Sequence, residues 1–400
     1  MIQRVVIFGG HIQALGLARQ VKAKGIEVVI VTDDRCSVAR FSRAVDRTII
    51  EPIKDWPSII LNRKGTIISK DGNLGDLELP NKGTMLFPTN DEAVEMLCGR
   101  YEEYKERFAL GVPEPKVIEL FNDKRRAYRF AEASGVHCPK CWYPDTMEEV
   151  EALSEELPYP VVVKPAVMYS FHATFGKKAF RCDDAASLKA TYMRIAAKGY
   201  PLETLVVQEF LDGGAKNLYS CGVMAAEGEI IVSMQANRIR QNPMDFGNST
   251  TYAISCFVLQ IQEQTEALLR MTNYSGVGEV EWMWDAKAQQ YKFLEINTRA
   301  WKWHTISNQL GFSFIGALID WFDGVGQKCP KMFPKDKVAW VERLTDWTVI
   351  AKEIFHGRMT LKEVCASYRI KHESAVWSWR DPLPAIMYIL LSPILYVKRH

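Results

Sequence analysis

Short, wholly apolar runs alternate with amphipathic stretches through the first half of the chain. Val5–Phe8 is apolar throughout; Gly9-Gly10 follows, then Leu15, Ala18 and Val21 at helical spacing up to Gly25. Val28–Val31 is a second apolar run and ends at Asp33-Asp34. This order predicts a β-α-β unit with strands buried on both faces. Thr89-Asn90-Asp91-Glu92 and Thr146-Met147-Glu148-Glu149 fit capping boxes. They predict one helix running towards Phe108 and another ending before Pro158. Further helices are predicted over Asp123–Ala133, Asp184–Lys198 and Gln262–Asn273. Strands are predicted at Pro160–Pro165, Thr204–Phe210, Leu218–Ala225 and Glu229–Asn237, with turn signals at Lys70-Asp71-Gly72 and Asn81-Lys82-Gly83.

The stretch Gly278–His304 carries the densest chemistry. Two apolar-rich runs, Glu279–Trp284 and Tyr291–Asn297, flank a polar connection and predict a β-hairpin. With the connection centred near Ala288, Glu281 lies across from Glu295 and Glu279 across from Asn297. Carboxylates placed side by side repel unless a proton or cation sits between them. Glu281, Glu295 and Asn297 offer hard oxygen donors that suit Mg²⁺ shared with phosphates. Arg299 and His304 follow at once, while Trp282 and Trp284 lie on the opposite strand face.

Four hundred residues, 48% of them hydrophobic, describe a globular chain of two or three domains. The net charge of +2 gives no electrostatic argument for nucleic acid. Nine scattered cysteines and an N-terminus without signal-peptide layout fit a cytoplasmic protein. His137, Cys138 and Cys141 form a lone HCPKC pattern with no second C-x-x-C, and fit small, half-buried residues before a strand. The first β-α-β unit is of the mononucleotide-binding kind, but Gly9, Gly10 and Gly16 depart from G-x-G-x-x-G. A Rossmann-like domain that binds no NAD is therefore expected, ending near Gly111-Val112-Pro113.

In order along the chain, Lys124, Lys164, Gln208-Glu209-Phe210-Leu211, Glu281, Glu295, Asn297 and Arg299 resemble the motif series of the ATP-grasp superfamily. The resemblance runs from about residue 1 to 325. It implies a mixed α/β (α+β) fold: a Rossmann-like pre-ATP-grasp domain (1–112), two ATP-grasp subdomains (113–203 and 204–325) and a helical C-terminal tail (326–400). It also implies a ligase that uses ATP and Mg²⁺ or Mn²⁺ to join a small-molecule carboxylate to an amine through an acyl phosphate. By the same resemblance, Lys124 and Lys164 hold phosphates, residues 208–211 hold adenine, and Glu281, Glu295 and Asn297 hold metal. Arg299 stands beside the reacting phosphoryl group.

Arg240-Gln241-Asn242-Pro243, then Phe246-Gly247, resemble a signature of ATP-grasp ligases from cell-surface polysaccharide and natural-product clusters. Arg240 is a candidate for gripping a substrate carboxylate or phosphate, or else pairs within its own loop. His304 is a candidate general base or a packed core residue. The chain departs from the superfamily in two places. Ala166–Lys178 holds only Gly176, leaving His172 or Lys177 to meet phosphate, and Asn217 replaces an acidic ribose contact. A non-catalytic nucleotide-binding module and an NAD-dependent oxidoreductase are the rival readings. In the tail, the apolar run Leu383–Val397 is too short to span a bilayer, which needs roughly 20 residues. It either packs on the protein body or makes peripheral contact with the inner face of a membrane.

Overall fold

Val5, Val6, Ile7 and Phe8 are fully buried at the centre of a mostly parallel sheet, which is why the run carries no polar face. The computed structural model describes residues 1–60, 67–69, 83–167, 171, 174–244, 247, 249–325 and 337–399. The turn signals at 70–72 and 81–82, together with His172, Asp245 and Phe246, lie outside the described residues. The first sheet contains β1 (Arg4–Phe8), β2 (Glu27–Thr32), β3 (Arg47–Ile50), β4 (Ile67–Ser69), β5 (Thr84–Pro88) and β6 (Ala109–Leu110). Their order is β4-β3-β2-β1-β5-β6, so the chain changes direction across the sheet between β1 and β5. The crossover helix Ile12–Ala23 ends as predicted, with Gly25 in the left-handed region at φ 76°. A Cβ on Gly10 would fall 1.9 Å from Ser37 Oγ. The turn after β1 is thus filled by the chain itself, in keeping with the absent dinucleotide pattern. Asn90, not Thr89, caps the helix Asp91–Cys98; the Thr89 hydroxyl donates to the Phe8 carbonyl instead.

The second sheet, in the order β7-β10-β8-β9, contains β7 (Cys141–Trp142), β8 (Val161–Pro165), β9 (Phe180–Cys182) and β10 (Leu205–Glu209). Helices Met147–Ser154 and Ala185–Ala196 cover it through Val150, Leu188, Tyr192 and Ile195. The third comprises β11 (Leu218–Ala226), β12 (Glu229–Asn242), β13 (Ser249–Cys256), β14 (Gly276–Asp285), β15 (Gln290–Asn297), β16 (Ala339–Val341) and β17 (His372–Ser374). Their order is β15-β14-β11-β12-β13-β16-β17. One apolar core joins this sheet to the N-terminal layer: Met224, Met234, Trp301 and Phe314 pack with Leu15 and Ala18.

Two expectations about boundaries change. β10 falls within the expected 204–325 unit, yet it pairs with β7 and β8 of the second sheet, so the break between sheets comes after Glu209. The tail is also not wholly helical, because β16 and β17 extend the third sheet. Its last helix, Leu383–Arg399, begins beside Asp381, which accepts from Arg19 Nε at 3.0 Å and from the Arg43 amide at 3.0 Å.

Arg240 holds the tail to the sheet rather than reaching a ligand. Its Nε and Nη2 each donate to Asp346 at 2.8 Å, and its guanidinium lies 4.0 Å from the centre of the Tyr252 ring. Both groups are buried, so each is the other's source of neutralisation. Asp346→Ala should therefore cost about 3–5 kcal/mol of unfolding free energy, read by chemical denaturation. Arg240→Leu combined with Asp346→Leu should recover most of that loss, since no buried charge then lacks a partner.

Candidate functional site

The hairpin β14–β15 brings together the expected pairs: Glu279 opposite Asn297 and Glu281 opposite Glu295. The turn alone would not do so. From Trp282 outward the register is 282↔293, 283↔292 and 285↔290, which, if continued, would set Glu281 against Leu294. A β-bulge at Leu294 absorbs one residue and restores the carboxylate pair. The Leu294 carbonyl accepts from Tyr128 Oη at 2.7 Å, and that hydroxyl accepts from Lys164 Nζ at 2.7 Å. Lys164, projecting from β8, is thereby tied to the bulge.

Four cationic groups converge on these acids. Asp123 caps the helix Lys124–Ala133, and Lys124, at its first position, sets Nζ 2.8 Å from Glu295 Oε2. Arg238 Nη1 lies 2.5 Å from Glu281 Oε1 and 4.0 Å from Glu279 Oε1. Lys164 and Lys178 complete the group electrostatically, both acting on Glu295. Lys124, followed by Lys178 and Lys164, holds Glu295 well below the usual carboxylate range. Burial, then the Glu281 charge, pushes Glu279 up to about 7. Burial and the neighbouring Lys124 push Lys164 down to about 8. The Asn297 amide nitrogen donates to Glu279 Oε2 at 3.2 Å and to Glu281 Oε1 at 3.1 Å, while Trp303 Nε1 donates to Glu279 at 2.8 Å. With its nitrogen committed to carboxylates, Asn297 keeps its amide oxygen for another partner.

These donors fit a hard divalent cation. Among the described residues no three His, Cys, Asp or Glu side chains cage a metal unaided. Glu281, Glu295 and the Asn297 oxygen would instead hold an ion whose coordination is completed by substrate oxygens, as Mg²⁺ prefers.

At the other end, Gln208 on β10 is buried, and its Oε1 has no hydrogen-bond partner among the described residues. An orphaned buried acceptor suits the exocyclic amine of a purine. Glu209 behaves differently from expectation: its carboxylate accepts from the Lys140 amide at 2.9 Å and is paired with Lys292. Lys292 also meets Asp285 at 2.8 Å, so Glu209 fastens the hinge to the hairpin. Next along the hinge, Phe210 lies under the Arg181 guanidinium at 4.4 Å, and Leu211 is buried. Asn217 Nδ2 donates to the Asp212 carbonyl at 3.2 Å.

Arg299 faces the N-terminal domain, with Nε 2.6 Å from Asp91 Oδ1 and Nη2 3.3 Å from Oδ2. Asp91 opens the helix that follows β5, at the point where the first sheet changes direction. Arg240 and His304 do not join the cluster. Arg240 is held by Asp346, as described above. His304 is 1% exposed beneath Gly16, with Nε2 3.2 Å from the Gln13 carbonyl, and burial pushes its pKa down to about 4. It is a packed residue, which removes the argument for a general base. Lys177 lies over the Phe180 ring at 5.8 Å. Cys138 and Cys141 are free thiols whose pKa values burial raises to about 11 and about 12, so both remain protonated near neutral pH.

Sequence reasoning missed Arg238, Glu279, Lys178 and Asp91 as members of this assembly. Arg238 and Arg240 stand two apart on β12, but the β12–β13 register breaks between Asn237 and Arg240, which sends them to different partners. Glu279 carried a usable signal, because it was already expected to share a strand face with Glu281.

Residues 123–315 match the family described as carbamoyl-phosphate synthase L chain, ATP binding domain. A D-aspartate ligase of Enterococcus faecium (strain Aus0004) is 23% identical over 304 residues, covering 74% of this chain and 70% of the relative. The N5-carboxyaminoimidazole synthetase of Staphylococcus aureus superposes with a TM-score of 0.63 at 14% identity, covering 89% of this chain and 86% of that one. The biotin carboxylase domain of the Hydrogenobacter thermophilus 2-oxoglutarate carboxylase, in complex with MgADP, ADP and bicarbonate, also gives 0.63. It is 18% identical and covers 83% of this chain and 72% of its own. With the two-sheet arrangement around residues 124–299, these likenesses make the chain an ATP-dependent ligase with an ATP-grasp fold.

Proposed function

We propose that this enzyme joins a small-molecule carboxylate to an amine through an acyl phosphate, using ATP and releasing ADP and phosphate. The observation that carries the reading is the half-buried meeting of Glu281, Glu295 and Asn297 with Lys124, Lys164, Lys178 and Arg238. Phosphoryl transfer demands positioning and neutralisation of phosphate charge more than covalent help from the protein. Glu281, Glu295 and the Asn297 amide oxygen would hold Mg²⁺, which when bound would supply neutralisation of the phosphate charge. Lys124 and Lys164 hold the phosphates, and Gln208 with the hinge backbone accepts and orients the adenine. Arg299 turns from Asp91 towards the transferring phosphoryl group, and Arg238 steadies the carboxylate being activated. The amine then attacks the acyl carbon, and the departing phosphate takes up its proton.

Residues 1–112 serve as a substrate-binding domain, and the two sheets on either side of Glu209 close on the nucleotide. The likeness to a D-aspartate ligase supports an amino acid as one substrate. The Arg240–Gly247 signature supports kinship with ligases of surface-polysaccharide and natural-product clusters, and hence sugar acids or amino sugars as further candidates. Free cysteines among the described residues support a cytoplasmic setting, and the tail helix supports peripheral contact with a membrane.

Phosphate release from Mg-ATP, measured across amino acids, amino sugars and sugar acids, tests the reading. Turnover should require one carboxylate and one amine together; turnover with neither, or with no pair in the panel, would count against it. Glu295→Gln should lower turnover with the active pair roughly a hundredfold, about 3 kcal/mol, while the chain stays folded. A solvated strand face would tolerate that change.

Lys164 sets a pH dependence. Its free-enzyme pKa near 8 means that it is charged below that value and loses its proton as pH rises through it. Because ATP favours the charged form, the dissociation constant of ATP should climb from about pH 7 to about pH 9. Titration calorimetry should show weaker binding and no such climb in Lys164→Met.

A further inference from the structure

The C-terminal helix Leu383–Arg399 has two unlike sides. Ala385, Tyr388 and Leu395 are buried against the core shared with the N-terminal domain. On the other side Leu383, Ile386, Ile389, Leu390, Pro393 and Ile394 are exposed, and they account for every exposed position from 383 to 395. Ile389 and Leu390 show 61% and 64% of their surface. No charged residue occurs between Leu383 and Val397. A solvated helix face normally carries polar side chains, so this inversion calls for a covering. Backbone chemistry agrees. Pro393 cannot donate to the Ile389 carbonyl, and the Ser392 hydroxyl donates to it instead at 2.8 Å. The carbonyl that proline would leave open on this strip is thus satisfied without water, as an apolar medium requires.

The ends of the strip indicate what covers it. Trp379, just before the helix, is 86% exposed. Arg380 and Arg43 are exposed beside the helix start, and although the Arg43 backbone amide donates to Asp381, neither guanidinium is paired with a carboxylate among the described residues. Beyond the strip the sequence continues Lys398-Arg399. Apolar side chains flanked by an indole and basic groups match the layered chemistry of a bilayer interface with anionic headgroups. The strip is a single convex helix face, whereas a stable protein dimer needs about 800 Å² per partner. Among the described residues no helix is long and apolar enough to cross a membrane, so the segment would lie along the surface.

We propose that residues 379–399 dock the enzyme on an anionic lipid surface, with the helix parallel to the bilayer plane. This docking does not depend on which substrates are joined. The test is co-sedimentation of the full chain with phosphatidylcholine vesicles, with and without phosphatidylglycerol, beside a triple variant Ile386→Ser, Leu390→Ser, Ile394→Ser. All three side chains are exposed, and an unchanged melting temperature and ATP affinity would establish that the variant folds. The wild-type chain should bind phosphatidylglycerol vesicles at least tenfold more tightly than the triple variant. Binding should weaken with added salt and in Arg43→Glu, Arg380→Glu. Absence of vesicle binding at low salt, equal binding by the folded triple variant, or equal binding to purely neutral vesicles would overturn the proposal. So would a wild-type dimer in solution that the triple variant abolishes.

Discussion

Two carboxylates facing each other across a strand pair repel, and much of this structure is arranged around the need to offset that repulsion. Glu281 and Glu295 face one another only because a bulge at Leu294 corrects the register set by the turn. Once paired, they require cations from three other elements. Lys124 comes from a helix start fixed by the Asp123 cap, Lys164 from β8, and Arg238 from β12. Tyr128 links Lys164 to the bulge itself, so the geometry of the acids and the position of one base are set together. A cluster of this kind is costly to bury without an exchangeable cation or phosphate, which is why the arrangement points to chemistry rather than to stability.

The segment after β15 connects that cluster to the rest of the molecule. Asn297 bonds Glu279 and Glu281, Arg299 reaches Asp91 of the N-terminal domain, Trp303 returns to Glu279, and His304 packs under Gly16. Within eight consecutive residues the chain thus touches the acidic site, the helix that follows β5 of the first sheet, and the crossover helix. The Arg299–Asp91 and Trp303–Glu279 contacts therefore tie the acidic site to the N-terminal domain through one short segment.

The architecture was legible where a local rule governs. Apolar runs located the buried strands of the first sheet, and strand periodicity placed Glu281 opposite Glu295. Asp123 and Asp184 start their helices where their capping chemistry indicates. Lys124 and Lys164 were legible from their order in the motif series and do lie beside the hairpin. What escaped depends on longer-range pairing. Nothing local distinguishes Arg238 from Arg240; a register break on β12 and a distant Asp346 do. Glu209 looked free to meet a ligand because its partner, Lys292, lies far along the chain. β10 joined the second sheet and the tail supplied β16 and β17, both through contacts that no window of sequence contains.

The central claim is that Glu281 and Glu295 hold a divalent ion against the phosphates of ATP. Calorimetric titration of ATP with and without Mg²⁺, on the wild-type chain and on Glu281→Gln, Glu295→Gln, addresses it most directly. In the wild type Mg²⁺ should strengthen ATP binding. In the double variant that enhancement should vanish, and metal-free ATP should bind more tightly than to the wild type, because two repelling charges have gone. A Mg²⁺ enhancement of equal size in both proteins would contradict the account.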